Sequence, residues 1–294
     1  MPHDVAVHSS QTPRHLTLEC KEAGNMTPPS ITPPRYICVY ASEQLSPHLQ
    51  RVYFSCEDFS NFPRDQNGAH IKLFFVEQAD LKPLLPYRNE QGKVIWPDGK
   101  KPITRTYTIR DFLENEQLLV VDFVRHADYG AAANWAINAE KGQVIGLAGP
   151  GGRARFNPTA DYWVFIGDLS ALPMIAASLE LLPATAQGEV WIEVEHESDC
   201  IQLAHPLAVT IYWLIQALNP EEKIHASLTQ LDWSQQNISV SLAGENSRVV
   251  SLLKAFKHTY KVAKTHLYAV PYWKKGHTEE SYHQERHLVI DSEA

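Results

Sequence analysis

The chain has 294 residues, 44% of them apolar, enough to bury two domain-sized cores. A formal charge of −8 excludes a general nucleic-acid binder, which needs a sustained basic surface to displace counterions. Cys20, Cys38, Cys56 and Cys200 form no CxxC pair, which argues against a zinc knuckle or iron–sulfur cluster and fits reduced thiols, while no basic-then-apolar leader or 18-residue apolar run points to secretion or a membrane span, so a soluble cytoplasmic protein is expected.

Residues 1–34 are polar and proline-rich (Pro28, Pro29, Pro33, Pro34) and read as a loosely held leader. Short alternating or apolar runs follow at 36–40, 50–54, 71–76, 105–110 and 118–124, with Pro, Gly, Asn and Asp between them, the pattern of an antiparallel barrel. A short helix is predicted at 131–139 and a turn at Gly149-Pro150-Gly151-Gly152. After about Asn157 the pattern becomes strand, turn, helix, strand. Strand candidates at 162–166, 190–194 and 238–242 alternate with helical stretches at 171–182 and 207–218, which predicts parallel strands with crossover helices. The boundary falls near Pro158, giving domains 35–157 and 158–276 and a tail at 277–294 that either folds back over the first domain's ligand or trails in solvent, the acidic residues Glu279, Glu280, Glu285, Asp291 and Glu293 making a solvated end the default.

The run Arg105-Thr106-Tyr107-Thr108-Ile109-Arg110 joins an anion clamp, an aromatic plate and a hydroxyl. On a strand, Arg105 and Tyr107 share a face about 7 Å apart at roughly 3.3 Å per residue. An arginine fork matches phosphate oxygens, and a tyrosine ring stacks while its hydroxyl stays bonded. Thr108 points to the other face and reaches the same ligand through its backbone or a kink. Further on, a strand ends at His126 and Asp128-Tyr129-Gly130 leads into Ala131-Ala132-Ala133-Asn134-Trp135, whose first-turn N–H groups form an anion site.

In the second half, Gly167-Asp168-Leu169-Ser170-Ala171-Leu172-Pro173 follows an apolar strand, and Asp168 or Ser170 is the expected helix cap. Ala243-Gly244-Glu245 is a second turn of this kind, and ligands of open α/β sheets bind at such strand ends. Residues 251–277 hold Lys254, Lys257, Lys261, Lys264, Lys274 and Lys275 and no acid. On one helix the first four would fall within an arc of about 80°, beside a stripe of Leu253, Phe256, Tyr260 and Ala263. That face reads either as a solvated one or as a basic wall drawing in an anionic substrate, with Pro271-Tyr272-Trp273-Lys274-Lys275-Gly276 adding aromatic plates. His277, His283 and His287 match no firm metal-ligand spacing.

Taken together, Arg105–Arg110, the His126 to Trp135 turn, Gly149–Gly152, Gly167–Pro173, Ala243–Glu245 and Tyr272–Gly276 resemble the siderophore-interacting proteins, flavin-dependent ferric-siderophore reductases, over roughly residues 35–276. The resemblance implies a ferredoxin-reductase-like architecture, with a six-stranded antiparallel FAD-binding barrel followed by an α/β domain for a nicotinamide dinucleotide. It implies FAD contacts at Arg105, Tyr107, Thr108, Ile109, His126, Gly130, Ala131, Ala132, Ala133, Trp135, Gly149 and Gly151, with Tyr107 against the isoalloxazine. Asp168, Ala171, Leu172, Glu193, Gly244 and Glu245 are expected at the dinucleotide, and the six lysines with Tyr272 and Trp273 at the ferric siderophore. Two positions depart from the pattern. Gly130-Ala131-Ala132-Ala133 stands where the family has Gly-Pro-Ala-Ser/Thr, and Pro271 stands where it has glycine.

No lysine or arginine occurs from Phe156 to Glu222, whereas Glu193, Glu195 and Asp199 offer acceptors for a ribose hydroxyl, so NADH is expected over NADPH unless Lys223, Arg248 or the basic tail supplies a cation. Two rival readings share these signals: an electron-transfer reductase of the same fold that works with a protein such as a ferredoxin, and a siderophore-binding module without flavin.

Overall fold

The computed structural model describes residues 32–76, 82–125, 130–152, 154–216, 219–234, 237–279 and 281–282. The expected leader lies outside them up to residue 31, as do His126, Asp128, Tyr129, His283 and His287.

Strands β1 (Arg35–Ser46), β2 (Leu49–Ser55), β3 (His70–Phe75), the small hairpin β4 (Tyr87–Arg88) and β5 (Val94–Ile95), β6 (Ile103–Thr108), β7 (Asp111–Leu113), β8 (Leu118–Val124), helix α1 (Ala131–Ile137) and β9 (Val144–Gly151) make the first half. Seven of these strands form one antiparallel sheet in the order β6-β3-β9-β1-β2-β8-β7. Six are long and the seventh, β7, is a three-residue edge piece, so the expected six-stranded barrel gains a short strand. Alternate residues point inward, as in Val52 and Phe54 or Ile37 and Val39, all fully buried. The sheet curls until Tyr107 of β6, at one end of the order, packs on Phe123 of β8 with ring centroids 4.3 Å apart. Burying a ring such as Phe123 contributes about 2–3 kcal/mol.

The second half contains β10 (Tyr162–Asp168), α2 (Leu172–Leu181), β11 (Gln187–Val194), β12 (Ala208–Ile215), α3 (Pro220–Leu228), β13 (Ile238–Glu245), α4 (Asn246–His258) and β14 (Leu267–Trp273). All pairs are parallel, in the order β12-β11-β10-β13-β14. The central strand β10 is buried almost throughout, as a strand covered on both faces requires. Helix α2 is buried from Leu172 to Leu179 and shares a core with Leu49 of β2. An apolar helix of this kind belongs between two layers, here the parallel sheet and the barrel. Arg110, just after β6, adds a two-point bond to Glu180 of α2 at 2.6 and 3.1 Å.

Three expectations fail. The helix expected at 207–218 is absent from its described part, 207–216, most of which forms β12, an edge strand in register with β11. Val209, Thr210, Ile211, Tyr212 and Trp213 are the β-branched and aromatic residues that pack on a pleated surface, and Tyr212 stacks on Trp191 at 4.1 Å. A short apolar run does not reveal its period, and here the sheet decided it. The lysine helix ends early: α4 stops at His258, and Lys261 sits at φ +57° in the turn that follows. The tail is not wholly solvated: His277, Thr278 and Ser281 are exposed, but Glu279 bonds to Thr106 and Tyr282 is buried, while Glu280, Glu285, Asp291 and Glu293 lie outside the described residues.

Candidate functional site

Strand β6 pairs with β3 on one side only, placing Lys72 opposite Thr106 and Ile71 opposite Tyr107. Arg105 and Tyr107 share one face, as the alternation requires, and Tyr107 is half-buried against Phe123. Behind it, Trp135 of α1 packs on Phe123, Phe75 and Phe54, with centroids 6.0, 5.2 and 6.1 Å away. Trp135 therefore backs the Tyr107 plate. Burial, and after it the Glu279 carboxylate, push the Tyr107 phenol above its ordinary value. Thr108 is buried on the opposite face, where it lies close enough to Tyr272, at the end of β14, to offset a small part of the rise that burial gives the Tyr272 phenol. Two segments far apart in the chain thus meet where the barrel touches the parallel sheet. Ile109 is wholly buried and packs in the barrel core.

At the start of α1, Gly130 occupies the cap position without a side-chain acceptor, and Ala132 and Ala133 are buried while Ala131 is exposed. A first helical turn without a cap presents N–H donors to an anion. Just before residues 126–129, Arg125 has a buried Nη1 with no hydrogen-bond partner among the described residues. An orphaned buried guanidinium nitrogen costs free energy unless an anion meets it. The glycine turn lies beside His70: a Cβ on Gly151 would fall 3.2 Å from its Nε2, and one on Gly152, at φ +108°, 2.7 Å from its Nδ1. Gly149 has φ +106°. A half-buried aromatic plate, an arginine beside it, uncapped helix donors and an orphaned guanidinium nitrogen fit a flavin dinucleotide.

The carboxyl edge of the parallel sheet is organised by Asp168. The expectation that Asp168 or Ser170 caps α2 fails, because Ala171 takes the cap position with helical angles and makes no side-chain bond. Asp168 instead ties three strands together. Its Oδ1 accepts from Ser170 N and Oγ at 2.8 and 2.5 Å, and its Oδ2 accepts from Glu245 N at 2.9 Å and Trp273 Nε1 at 2.8 Å. Gly244, at φ +136°, must be glycine because a Cβ there would meet Asp168 Oδ2 at 2.7 Å. Ala171 and Leu172 are buried beneath this turn. Glu245 caps α4, accepting from Ser247 N at 2.6 Å and Arg248 N at 3.4 Å, and also from Lys275 N at 3.3 Å. Burial pushes the Glu245 carboxyl up, but these bonds outweigh it and hold the group below the usual carboxylate value. Its charge is thus committed within the fold. Glu193 lies opposite Asp168 on β11, where its carboxylate meets Arg248.

The six lysines do not form one wall. Because α4 runs back from the carboxyl end of β13, Lys254 and Lys257 lie about 12 and 17 Å along it, and Lys261 and Lys264 follow its far end, toward the amino ends of the strands. Only Lys274 and Lys275, after β14, stay near Trp273 and Glu245. Among the described residues no group of three His, Cys, Asp or Glu is placed to hold a metal ion.

Sequence reasoning missed the partners that act across long separations. Arg155 donates to Asn67 O at 3.0 Å; burial lowers its pKa, and the Tyr268 and Tyr272 hydroxyls lie near enough to offset part of that. Asp199, named only as a ribose acceptor, is buried instead against the β1–β2 turn, bonding Ser46 Oγ at 2.6 Å and His48 Nδ1 at 2.7 Å. No helix among the described residues is long and apolar enough to cross a membrane.

Residues 38–154 match the siderophore-interacting FAD-binding domain family, and residues 160–276 match the siderophore-interacting protein family. Ferric vibriobactin reductase ViuB of Vibrio cholerae serotype O1 is 40% identical over 263 residues, spanning 88% of this chain and 96% of that protein. The NADPH-dependent ferric-chelate reductase of Escherichia coli K12 is 30% identical over 227 residues, spanning 76% of this chain and 86% of that protein. Among solved structures, the siderophore-interacting protein SipS from Aeromonas hydrophila superposes with a TM-score of 0.73 at 32% identity, covering 88% of this chain and 98% of that one. The chain belongs to the siderophore-interacting protein family.

Proposed function

We propose that the protein is a cytoplasmic, FAD-dependent reductase that takes electrons from a nicotinamide dinucleotide, NADH in preference to NADPH, and releases iron from ferric siderophores as Fe(II). Siderophores hold iron(III) through hard oxygen ligands, which suit iron(II) far less well, so reduction is release. When bound, FAD accepts the two electrons of a nicotinamide hydride and passes them on singly. One hydride therefore serves two ferric centres. No acid, base or nucleophile is needed at the iron; the protein holds the reactants in reach.

The residues divide that work. Arg105, Arg125 and the first turn of α1 bind the diphosphate, and Tyr107, backed by Phe123 and Trp135, supports the ring. Asp168 fixes the loops that receive the dinucleotide by holding Ser170, Glu245 and Trp273 together. Lys274 and Lys275 supply the positive charge for an anionic ferric complex. The observation that carries this reading is the pair of hydrogen bonds that Thr106 donates to Glu279, which joins the flavin strand to the segment after β14 and so supports two binding regions meeting in one place. NADH is favoured because the acceptor Glu193 stands at the end of β11 and no lysine or arginine lies between Phe156 and Glu222.

The test is steady-state reduction of a ferric siderophore by purified, FAD-loaded protein with NADH or NADPH, with a chelator that traps Fe(II) and no added protein. Turnover without a carrier, faster with NADH, is the expected result. Turnover only after a ferredoxin is added would replace this reading with that of a partner-dependent electron-transfer reductase.

A further inference from the structure

Three charged side chains from three elements converge at the carboxyl end of β11. Arg248, in the first turn of α4, donates from Nε to Glu193 Oε1 at 2.7 Å and from Nη2 to Oε2 at 3.3 Å. Its Nη1 donates to Glu221 Oε1 of α3 at 2.5 Å, and Ser251 Oγ holds the other oxygen of Glu221 at 2.8 Å. None of the three is sealed off, with exposures of 27–30%. The cation that would supply a partner for a 2′-phosphate is therefore present at the strand end, but both faces of its fork are taken by carboxylates.

We propose that Glu193, Glu221 and Arg248 form the coenzyme-selecting site at the adenosine end of the dinucleotide, in which the two carboxylates accept the ribose 2′-hydroxyl and hold Arg248 away from a 2′-phosphate. This rests on the reading of the α/β half as the dinucleotide site and adds which residues choose the coenzyme. The position follows from topology: β10 is the strand at which the order reverses, β11 is its neighbour, and Glu193 is in register with Asp168. In sheets of this winding an acid beyond the first strand bonds the ribose diol, and an arginine nearby accommodates a 2′-phosphate. Here both kinds of residue occupy one spot, and charge decides between them. Two carboxylates against one guanidinium leave a net negative site, which accepts hydroxyl donors and repels a phosphate carrying a charge of about −1.5 to −2. Burial raises the Glu193 carboxyl despite Arg248, and Asp168 and Glu221 raise it further, so the site already carries as much negative charge as it easily holds.

The test uses calorimetric titration of FAD-loaded protein with adenosine 5′-monophosphate and with adenosine 2′,5′-bisphosphate, a readout independent of turnover. Wild type is expected to bind the monophosphate more tightly. Glu193→Gln and Glu221→Gln are each expected to raise affinity for the bisphosphate relative to the monophosphate by about tenfold or more, because Arg248 regains a free fork. Adding Arg248→Ala to Glu193→Gln is expected to abolish that gain. Both nucleotides binding wild type with the ratio unmoved in the two glutamine variants would overturn the selecting role alone. Binding of neither nucleotide to wild type would overturn the dinucleotide reading and the selecting role with it.

Discussion

The Glu279 carboxylate accepts the backbone N–H of Thr106 at 3.0 Å and its hydroxyl at 2.6 Å, so a residue beyond the last strand ties down the strand that carries Arg105 and Tyr107. Lys72 completes the tie from the opposite strand, 2.6 Å from Thr106 Oγ1 and 3.5 Å from Glu279 Oε1. Strand β6 is the last in its sheet, and an outer strand presents N–H groups that need a partner. Losing a hydrogen bond to a charged group costs about 1.5–3 kcal/mol. Glu279→Ala is therefore expected to speed amide exchange at Thr106 by about tenfold or more, read by hydrogen–deuterium exchange. Unchanged protection at 103–108 would show that the tie does not hold the strand.

Arg105 and Tyr107 are expected to carry much of the flavin affinity. Arg105→Ala removes a charge-assisted clamp and is expected to weaken FAD binding about tenfold to a hundredfold. Tyr107→Ala also uncovers Phe123 and is expected to weaken FAD and lower the melting temperature together. Titration of apoprotein with FAD, followed by quenching of flavin fluorescence, measures both. Affinity within twofold of wild type in each variant would remove β6 from the flavin site.

Stability at acid pH is expected to report on Asp199. Burial raises its carboxyl, but bonds from Ser46 and His48 more than reverse this, leaving it below the ordinary 3.8. A carboxylate with a depressed folded-state value contributes stability that is fully present above the ordinary value and is lost as pH falls through the folded one. Asp199→Asn is expected to be less stable than wild type by about 2 kcal/mol at pH 7 in urea unfolding, with the gap closing below about pH 3.8. A gap of the same size at pH 7 and pH 3 would contradict the assignment.

The division of the lysines has a kinetic consequence. Lys274→Gln with Lys275→Gln is expected to raise the KM for an anionic ferric siderophore severalfold, with the effect shrinking as salt rises, because attraction between exposed charges is screened beyond about 10 Å at 0.1 M salt. Lys261→Gln with Lys264→Gln is expected to leave KM within twofold. Equal effects of the two pairs would restore the continuous basic wall.

Much of the site was legible because its parts are contiguous. Arg105, Tyr107 and Thr108 sit on one strand whose alternation fixes their faces, and each βα turn follows an apolar run that marks a strand end. The partners were not legible because they lie far apart in sequence. Asp168 meets Glu245 across 77 residues and Trp273 across 105, and Thr106 meets Glu279 across 173. Nothing local in a polar tail marks Glu279 as a partner of the barrel. The two errors in secondary structure share a cause, since an apolar run of eight residues at 208–215 and a lysine repeat running past His258 each suit a helix until tertiary packing decides. Nor does local sequence show that Arg248 reaches Glu193, which the fold brings together with Glu221 on the same guanidinium.

The most direct measurement is the absorption spectrum of the FAD-loaded protein under anaerobic conditions, taken before and after one equivalent of NADH and again after a ferric siderophore is added. The flavin bands are expected to bleach with NADH and return as Fe(II) appears in a 2:1 ratio to the NADH consumed. Bands that do not bleach with either NADH or NADPH, or that stay bleached when the ferric siderophore arrives, would contradict the account.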